Sequence, residues 1–209
     1  MPRPPTLKIV EIFASIQGEG LRQGTPAVFI RLAGCNLRCR FCDTKTAWEG
    51  GTERSVGRIA AAAARLRKSF PAEWIVLTGG EPLLQDVAPL VRTLKAAGWK
   101  VQTETNGRFA GPLSVDWYTV SPKPPGFAVR PFFRSRAKEV KLVVSRELTA
   151  AAAARVRNAF PHRTPLLFQI DSSSPDSPRR ALRLFRQAAK DGWPNIRLSV
   201  QLHKILNVP

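Results

Sequence analysis

Three cysteines, Cys35, Cys39 and Cys42, fall within eight residues at the spacing C-x3-C-x2-C, and the chain has no others. An odd set packed this closely suits a metal or cluster site in a reducing compartment better than a disulfide framework. Three thiolates on one tight loop can hold three iron corners of a cubane, which leaves the last iron to a non-cysteine ligand and open to a bound molecule. Structural zinc is the competing chemistry. It wants four closed ligands, and the only histidines, His162 and His203, are far off in sequence, so zinc requires one of them to fold in. A trio of merely buried cysteines fits less well, because Arg38, Arg40 and Asp43 make the stretch too polar for a core strand.

The elements that position these thiols follow from the pattern of the whole chain. Short β-branched or apolar runs at 8–13, 27–32, 74–77, 100–104, 117–120, 139–144, 166–169 and 196–200 alternate with segments of helical spacing at 55–68, 84–97, 146–158 and 178–191. Such alternation marks βα units around a parallel sheet, and the fold class expected is α/β. Leu84, Val87, Leu90, Val91 and Leu94 are spaced for one buried helix face. Gly98 and Gly192 stand where left-handed C-caps end the second and fourth helices. After the strand at 74–77 comes Thr78-Gly79-Gly80-Glu81-Pro82, whose paired glycines permit close backbone approach and leave carbonyls for an ammonium group; alone it is simply a good turn. The segment 121–137, with prolines at 122, 124, 125 and 131, is expected to be a ligand-handling loop at a strand end or a disordered surface insertion.

A chain of 209 residues fits one catalytic domain, 1–209. Its apolar runs are far short of the roughly 18 residues that cross a bilayer. The start Met1-Pro2-Arg3-Pro4-Pro5 lacks the apolar run of a leader, so a cytoplasmic location and no membrane partner are expected. The formal net charge of +18 invites a polyanion partner. Most basic residues lie on helical stretches, such as Arg65, Arg67 and Lys68 or Arg179, Arg180, Arg183 and Arg186, without interleaved aromatics. Solvated helix faces are the reading that follows, with no specific nucleic acid.

The cysteine spacing, followed one βα unit later by the Gly-Gly-Glu segment, closely resembles the radical S-adenosylmethionine superfamily. The resemblance implies a partial, compact (β/α) TIM-like barrel, a 4Fe-4S cluster on Cys35, Cys39 and Cys42, and S-adenosylmethionine chelating the open iron. Phe41 matches the superfamily's apolar position near the adenine, and Gly79, Gly80 and Glu81 match the segment that meets the methionine amino group. Physically, an apolar ring beside a cluster excludes water and offers a packing surface.

Further runs resemble the 7-carboxy-7-deazaguanine synthase family, over nearly the whole chain. Phe13-Ala14-Ser15-Ile16-Gln17-Gly18-Glu19-Gly20 looks like that family's substrate loop, here taken as 7–24, with backbone groups of Ile16, Gln17 and Gly18, and Glu19 beside them, set against a flat pterin edge. Arg31 matches a residue pairing with the substrate carboxylate, which a guanidinium fork suits. Cys42-Asp43-Thr44 matches a pattern in which the threonine hydroxyl ligates Mg2+ while residues 41–43 meet the cofactor; without the family, Asp43-Thr44 would equally cap a turn. Ser121-Pro122-Lys123 and Gln169 match cofactor contacts, continued by Ile170, Asp171 and Ser172, where the family often has a proline. Thr78, His203 and Pro209 match residues near the substrate. The resemblance implies conversion of 6-carboxy-5,6,7,8-tetrahydropterin to 7-carboxy-7-deazaguanine, a homodimer and a flavodoxin-like reductant. Two rival readings stay open: a radical activase acting on a partner protein, and an RNA-binding zinc protein.

Overall fold

The computed structural model describes residues 4–209, so residues 1–3 of the start read above for a leader lie outside the described residues. Nine strands, β1 (Thr6–Ile16), β2 (Pro26–Leu32), β3 (Thr52–Ser55), β4 (Trp74–Gly79), β5 (Lys100–Thr105), β6 (Trp117–Val120), β7 (Ala137–Val143), β8 (Leu166–Gln169) and β9 (Ile196–Ser199), join one sheet in the order β3-β1-β2-β4-β5-β6-β7-β8-β9. From β2 through β4 to β9 every pairing is parallel, whereas β1 runs antiparallel to both β2 and β3. Helices α1 (Val56–Ser69), α2 (Ala88–Ala96), α3 (Ala150–Asn158), α4 (Ser177–Lys190) and the short α5 (Leu202–Ile205) complete the chain. The parallel βα arrangement is the one the alternation leads one to expect, and the resemblance implies its partial (β/α) barrel form.

The parallel strands read as unbroken apolar runs because both faces are covered: Ile75, Val76 and Leu77 of β4 and Phe168 of β8 are fully buried. Helix α1 starts where the Ser55 hydroxyl accepts the Arg58 N–H, and α3 where the Thr149 hydroxyl accepts the Ala152 N–H. Gly98 and Gly192 take φ of 78° and 73°, the left-handed geometry expected of them. The side chains of Arg65, Arg67, Lys68, Arg179, Arg183 and Arg186 are exposed on their helices. Arg180 differs, donating to the carbonyls of Ser145, Arg146 and Leu148.

Several boundaries differ from the sequence reading. The strand expected over 8–13 runs on to Ile16, paired with β2 as far as Ile16↔Pro26, so that of the expected substrate loop 7–24 only the part after Ile16 is loop. The second helix begins at Ala88 rather than 84, because Pro82–Leu84 forms a 3-10 turn and the Asp86 carboxylate accepts the Ala88 N–H. The third begins at Ala150 rather than 146, at its Thr149 cap. Strand β3 escaped notice because Thr-Glu-Arg-Ser is a polar, exposed edge. The strand expected over 196–200 ends at Ser199, and the Leu202 N–H turns away to the Gly18 carbonyl at 2.8 Å.

Segment 121–137 packs against the core and is no loose insertion. Phe127 and Phe133 are buried, and Phe133 meets Tyr118 edge-on with ring centroids 5.3 Å apart. The base of the barrel, at the N-terminal ends of the strands, is plugged by Arg22. Its guanidinium lies 3.2 Å from the centre of the Trp74 ring and donates to Gln102 at 2.9 Å. Beside it the buried Glu139 carboxylate accepts the Leu21 N–H at 2.6 Å, the Thr119 hydroxyl at 2.7 Å and the Trp117 indole N–H at 3.3 Å.

Candidate active site

A cleft opens at the C-terminal ends of the parallel strands, the end at which barrel loops gather ligands. Of the residues matched to cluster, cofactor, Mg2+ or substrate positions, all but Pro122 and Ser172 line it. Pro122 is buried beneath the cleft and Ser172 is exposed at its rim.

The cysteine loop leaves the end of β2 and forms one wall. Gly34 N–H bonds to the Ala47 carbonyl at 2.9 Å, Cys42 N–H to the Cys39 carbonyl at 3.0 Å, and Arg38 takes the left-handed φ of 46° that bends the chain between the thiols. Cys35, Cys39 and Cys42 are all free and half-buried. Burial pushes the Cys39 thiol up, and the neighbouring Cys35 and Cys42 add to this while the Lys123 ammonium opposes it. Three thiols without a fourth, facing a cleft of ligand size, fit a three-cysteine cluster with one iron left open.

The Gly-Gly-Glu turn is built for this wall. A side chain on Gly79 would strike the backbone of Leu32, and one on Gly80 would strike the Gly34 carbonyl, so only glycines let β4 pass this close to the cysteine loop. Glu81 N–H then bonds to the Gly34 carbonyl at 2.7 Å. The Glu81 carboxylate is 1% exposed and is saturated within the chain, accepting the Leu83 N–H, the Thr105 hydroxyl and the Asn106 N–H at 3.0, 2.8 and 2.7 Å. Burial raises its pKa against those hydrogen bonds. It ties the ends of β4 and β5 together, and Asn106 reaches on to Asn36 of the cysteine loop at 2.9 Å. Further round the wall, the Lys123 ammonium lies against both oxygens of Ser121, whose hydroxyl donates to the Lys141 carbonyl. Gln169 holds the Ser199 hydroxyl at 2.7 Å, and Asp171 caps its own turn through Ser173.

The opposite half carries the charges. Phe13 and Phe29 stack with centroids 5.0 Å apart and planes 7° from parallel, making a flat apolar platform. Arg31 lies over Phe13, bonds Glu11 at 2.6 Å and reaches the Thr44 hydroxyl at 3.4 Å. Thr44 does not cap the following turn with its side chain, leaving its hydroxyl oriented toward Asp43 and Arg31. The backbone of the substrate loop is largely spoken for. Gln17 N–H and C=O pair with Thr25 and Gly24, and the Gly18 carbonyl accepts from Leu202 and Gln23, so the loop faces the cleft mainly with side chains. Lys141 sits buried between Glu19 and Glu104, bonded to both. Burial would raise the Glu19 carboxyl, yet the Lys141 ammonium holds it below its ordinary value. Glu104 is pushed up by burial and by the charges of Glu19 and Glu139.

Glu19, Asp43 and His203 bring one ligand atom each within 4.8 Å of the others. Both carboxylates there already have an ammonium partner, Glu19 in Lys141 and Asp43 in Lys204 at 3.0 Å. That compensation makes the trio a poor cation trap. Burial holds the His203 imidazole below its ordinary pKa.

Sequence reasoning missed Glu104, Lys141, Phe29 and Gln201, all of which line the cleft. A signal was present for the first two: Glu104 in β5 and Lys141 in β7 are charged residues within runs that read as strands of a covered sheet.

Residues 29–115, which include the cysteine loop and the Gly-Gly-Glu turn, match the Radical SAM superfamily. Fold and site together thus define a radical S-adenosylmethionine enzyme. The chain is 37% identical to the 7-carboxy-7-deazaguanine synthase of Burkholderia multivorans over 225 residues, covering 98% of this chain and 100% of that protein. It is 34% identical to the synthase of the same name from Synechocystis over 205 residues, covering 96% and 92%. The crystal structure of QueE from Escherichia coli matches with a TM-score of 0.78 at 30% identity over 95% of each chain. The chain belongs to the 7-carboxy-7-deazaguanine synthase family.

Proposed function

We propose that this chain converts 6-carboxy-5,6,7,8-tetrahydropterin to 7-carboxy-7-deazaguanine with release of ammonia, a step in 7-deazapurine and queuosine biosynthesis. The observation that carries the reading is the single cleft in which three free thiols face a flat aromatic platform flanked by an arginine and buried carboxylates. Cys35, Cys39 and Cys42 would hold a 4Fe-4S cluster, which with S-adenosylmethionine would supply the radical chemistry that removes hydrogen from the pterin.

The chain's own work is to bind, orient and exclude water. Phe41, Cys42, Asp43, Gly79, Gly80, Glu81, the 121–123 segment and residues 169–172 form the cofactor side. Arg31 takes the substrate carboxylate with Mg2+ on Thr44 beside it, a pairing of guanidinium and cation that fits one carboxylate bidentately. The pterin lies between the Phe13 platform and the side chains of Gln17, Glu19, Thr78 and His203, closed by Ile16, Gly18 and Pro209. Holding the ring carbon within attack distance in a dry cleft is worth several powers of ten in rate.

The same reading includes a homodimer in the cytoplasm and an acidic flavodoxin-like electron donor, for which the +18 charge is complementary. Among the described residues no helix is long and apolar enough to cross a membrane. The test is anaerobic incubation of the iron- and sulfide-loaded chain with S-adenosylmethionine, reductant and the tetrahydropterin, followed by mass spectrometry. The deazapurine is the expected product; iron-loaded protein that cleaves the cofactor but leaves this pterin intact overturns the substrate assignment.

A further inference from the structure

Gln201 lies where the chain leaves β9 and enters α5, outside every run that motif reading singled out. Its amide nitrogen donates to Glu19 at 2.8 Å and to Asp43 at 3.0 Å, while its amide oxygen accepts both the hydroxyl and the N–H of Ser172. The orientation of the amide follows from its partners, since ionised carboxylates only accept and a backbone N–H only donates. Those partners come from three separate loops: Glu19 from the loop after β1, Asp43 from the cysteine loop, and Ser172 from the loop after β8. The same short helix adds the Leu202 N–H bond to Gly18 and the Lys204 pair with Asp43, so all three loops are pinned to one turn of chain.

The charge arrangement makes this pin more than a spacer. Oxygens of Glu19 and Asp43 lie within 4.8 Å of each other, and the Gln201 NH2 bonds to both carboxylates. Of these two carboxylates Lys141, from β7, reaches only Glu19 and Lys204, from α5, reaches only Asp43; among the described residues Gln201 alone bonds to both.

We infer that Gln201 is a positioning residue that couples the two halves of the cleft: ordering the cofactor side at Ser172 and Asp43 sets Glu19 in place for the substrate, and the reverse. By linkage the effect is reciprocal, so each ligand tightens the other. The inference rests on the reading proposed above, for it takes residue 172 as the cofactor side and residue 19 as the substrate side.

The test uses the iron- and sulfide-loaded chain without reductant, so that nothing turns over. Calorimetry gives the affinity for S-adenosylmethionine with and without the tetrahydropterin. The unaltered chain is expected to bind the cofactor about tenfold tighter when the pterin is present. Gln201→Met, which keeps the length and volume of the side chain and removes its hydrogen bonds, is expected to shrink that ratio to about twofold or less. Ser172→Ala, a milder change at the exposed rim, serves as the second variant and is expected to fall between. With reductant added, Gln201→Met should release 5′-deoxyadenosine in excess over deazapurine. Absence of coupling in the unaltered chain, or full coupling and matched product ratios in Gln201→Met, overturns the inference. Failure of the unaltered chain to make the deazapurine strikes instead at the proposed function, so the two failures are separable.

Discussion

The two ends of the barrel handle polar groups in opposite ways. At the base, Arg22, Gln102, Glu139, Trp117 and Thr119 are linked by hydrogen bonds across three strands and the loop after β1, and the Glu139 carboxylate has three donors within 3.3 Å. At the mouth, three thiols, the Thr44 hydroxyl and the Arg31 fork stand in a cleft with valences to spare. The base tolerates buried charge because the Glu139 carboxylate and the Arg22 guanidinium find partners within the chain, one Arg22 nitrogen alone being left without a hydrogen bond, whereas the groups at the mouth stand open for a ligand to complete. The same chain thus separates stability from chemistry along one axis.

That separation can be broken from either end. Cys39→Ala should abolish product formation and the brown chromophore together while leaving the melting temperature of the metal-free chain within a degree or two; a large loss of stability would mean that the mouth also holds the fold. Glu139→Ala should do the converse. Removing an acceptor that serves three buried donors beside Arg22 is expected to cost about 3 kcal/mol, read as a lower denaturant midpoint, and an unchanged midpoint would empty the base of its structural role. The smallest effect belongs to His203. Its folded pKa is depressed by burial, so the stability it contributes is present above the ordinary histidine value and is lost as pH falls through the lower folded value. An NMR titration should place its midpoint below 6.5, and a midpoint at or above that would show the imidazole to be solvated.

How much of this was legible in the sequence also divides along that axis. The mouth could be read because its chemistry is local: the cysteines, the paired glycines and Ser121-Pro122-Lys123 each lie within a few residues of one another. The base could not, since Arg22, Gln102 and Glu139 meet only after β5 and β7 align, and nothing in their neighbours foretells the meeting. Strand β3 was silent for want of apolar residues, and α5 because its first N–H is taken by Gly18, a partner nearly the whole chain away. Gln201 combined both difficulties, being an ordinary residue whose three partners are all distant.

Between β5 and β6, and again between β6 and β7, the described residues contain no α-helix, and the aromatic packing of Tyr118, Phe127 and Phe133 stands in for one. Helical armour carries its own ladder of protected amides; a cover of ring edges carries few. Deuterium should therefore enter this flank sooner than the strands under α1 and α4, while the Ser121 corner, tied to the Thr105 and Lys141 carbonyls, keeps its own protection.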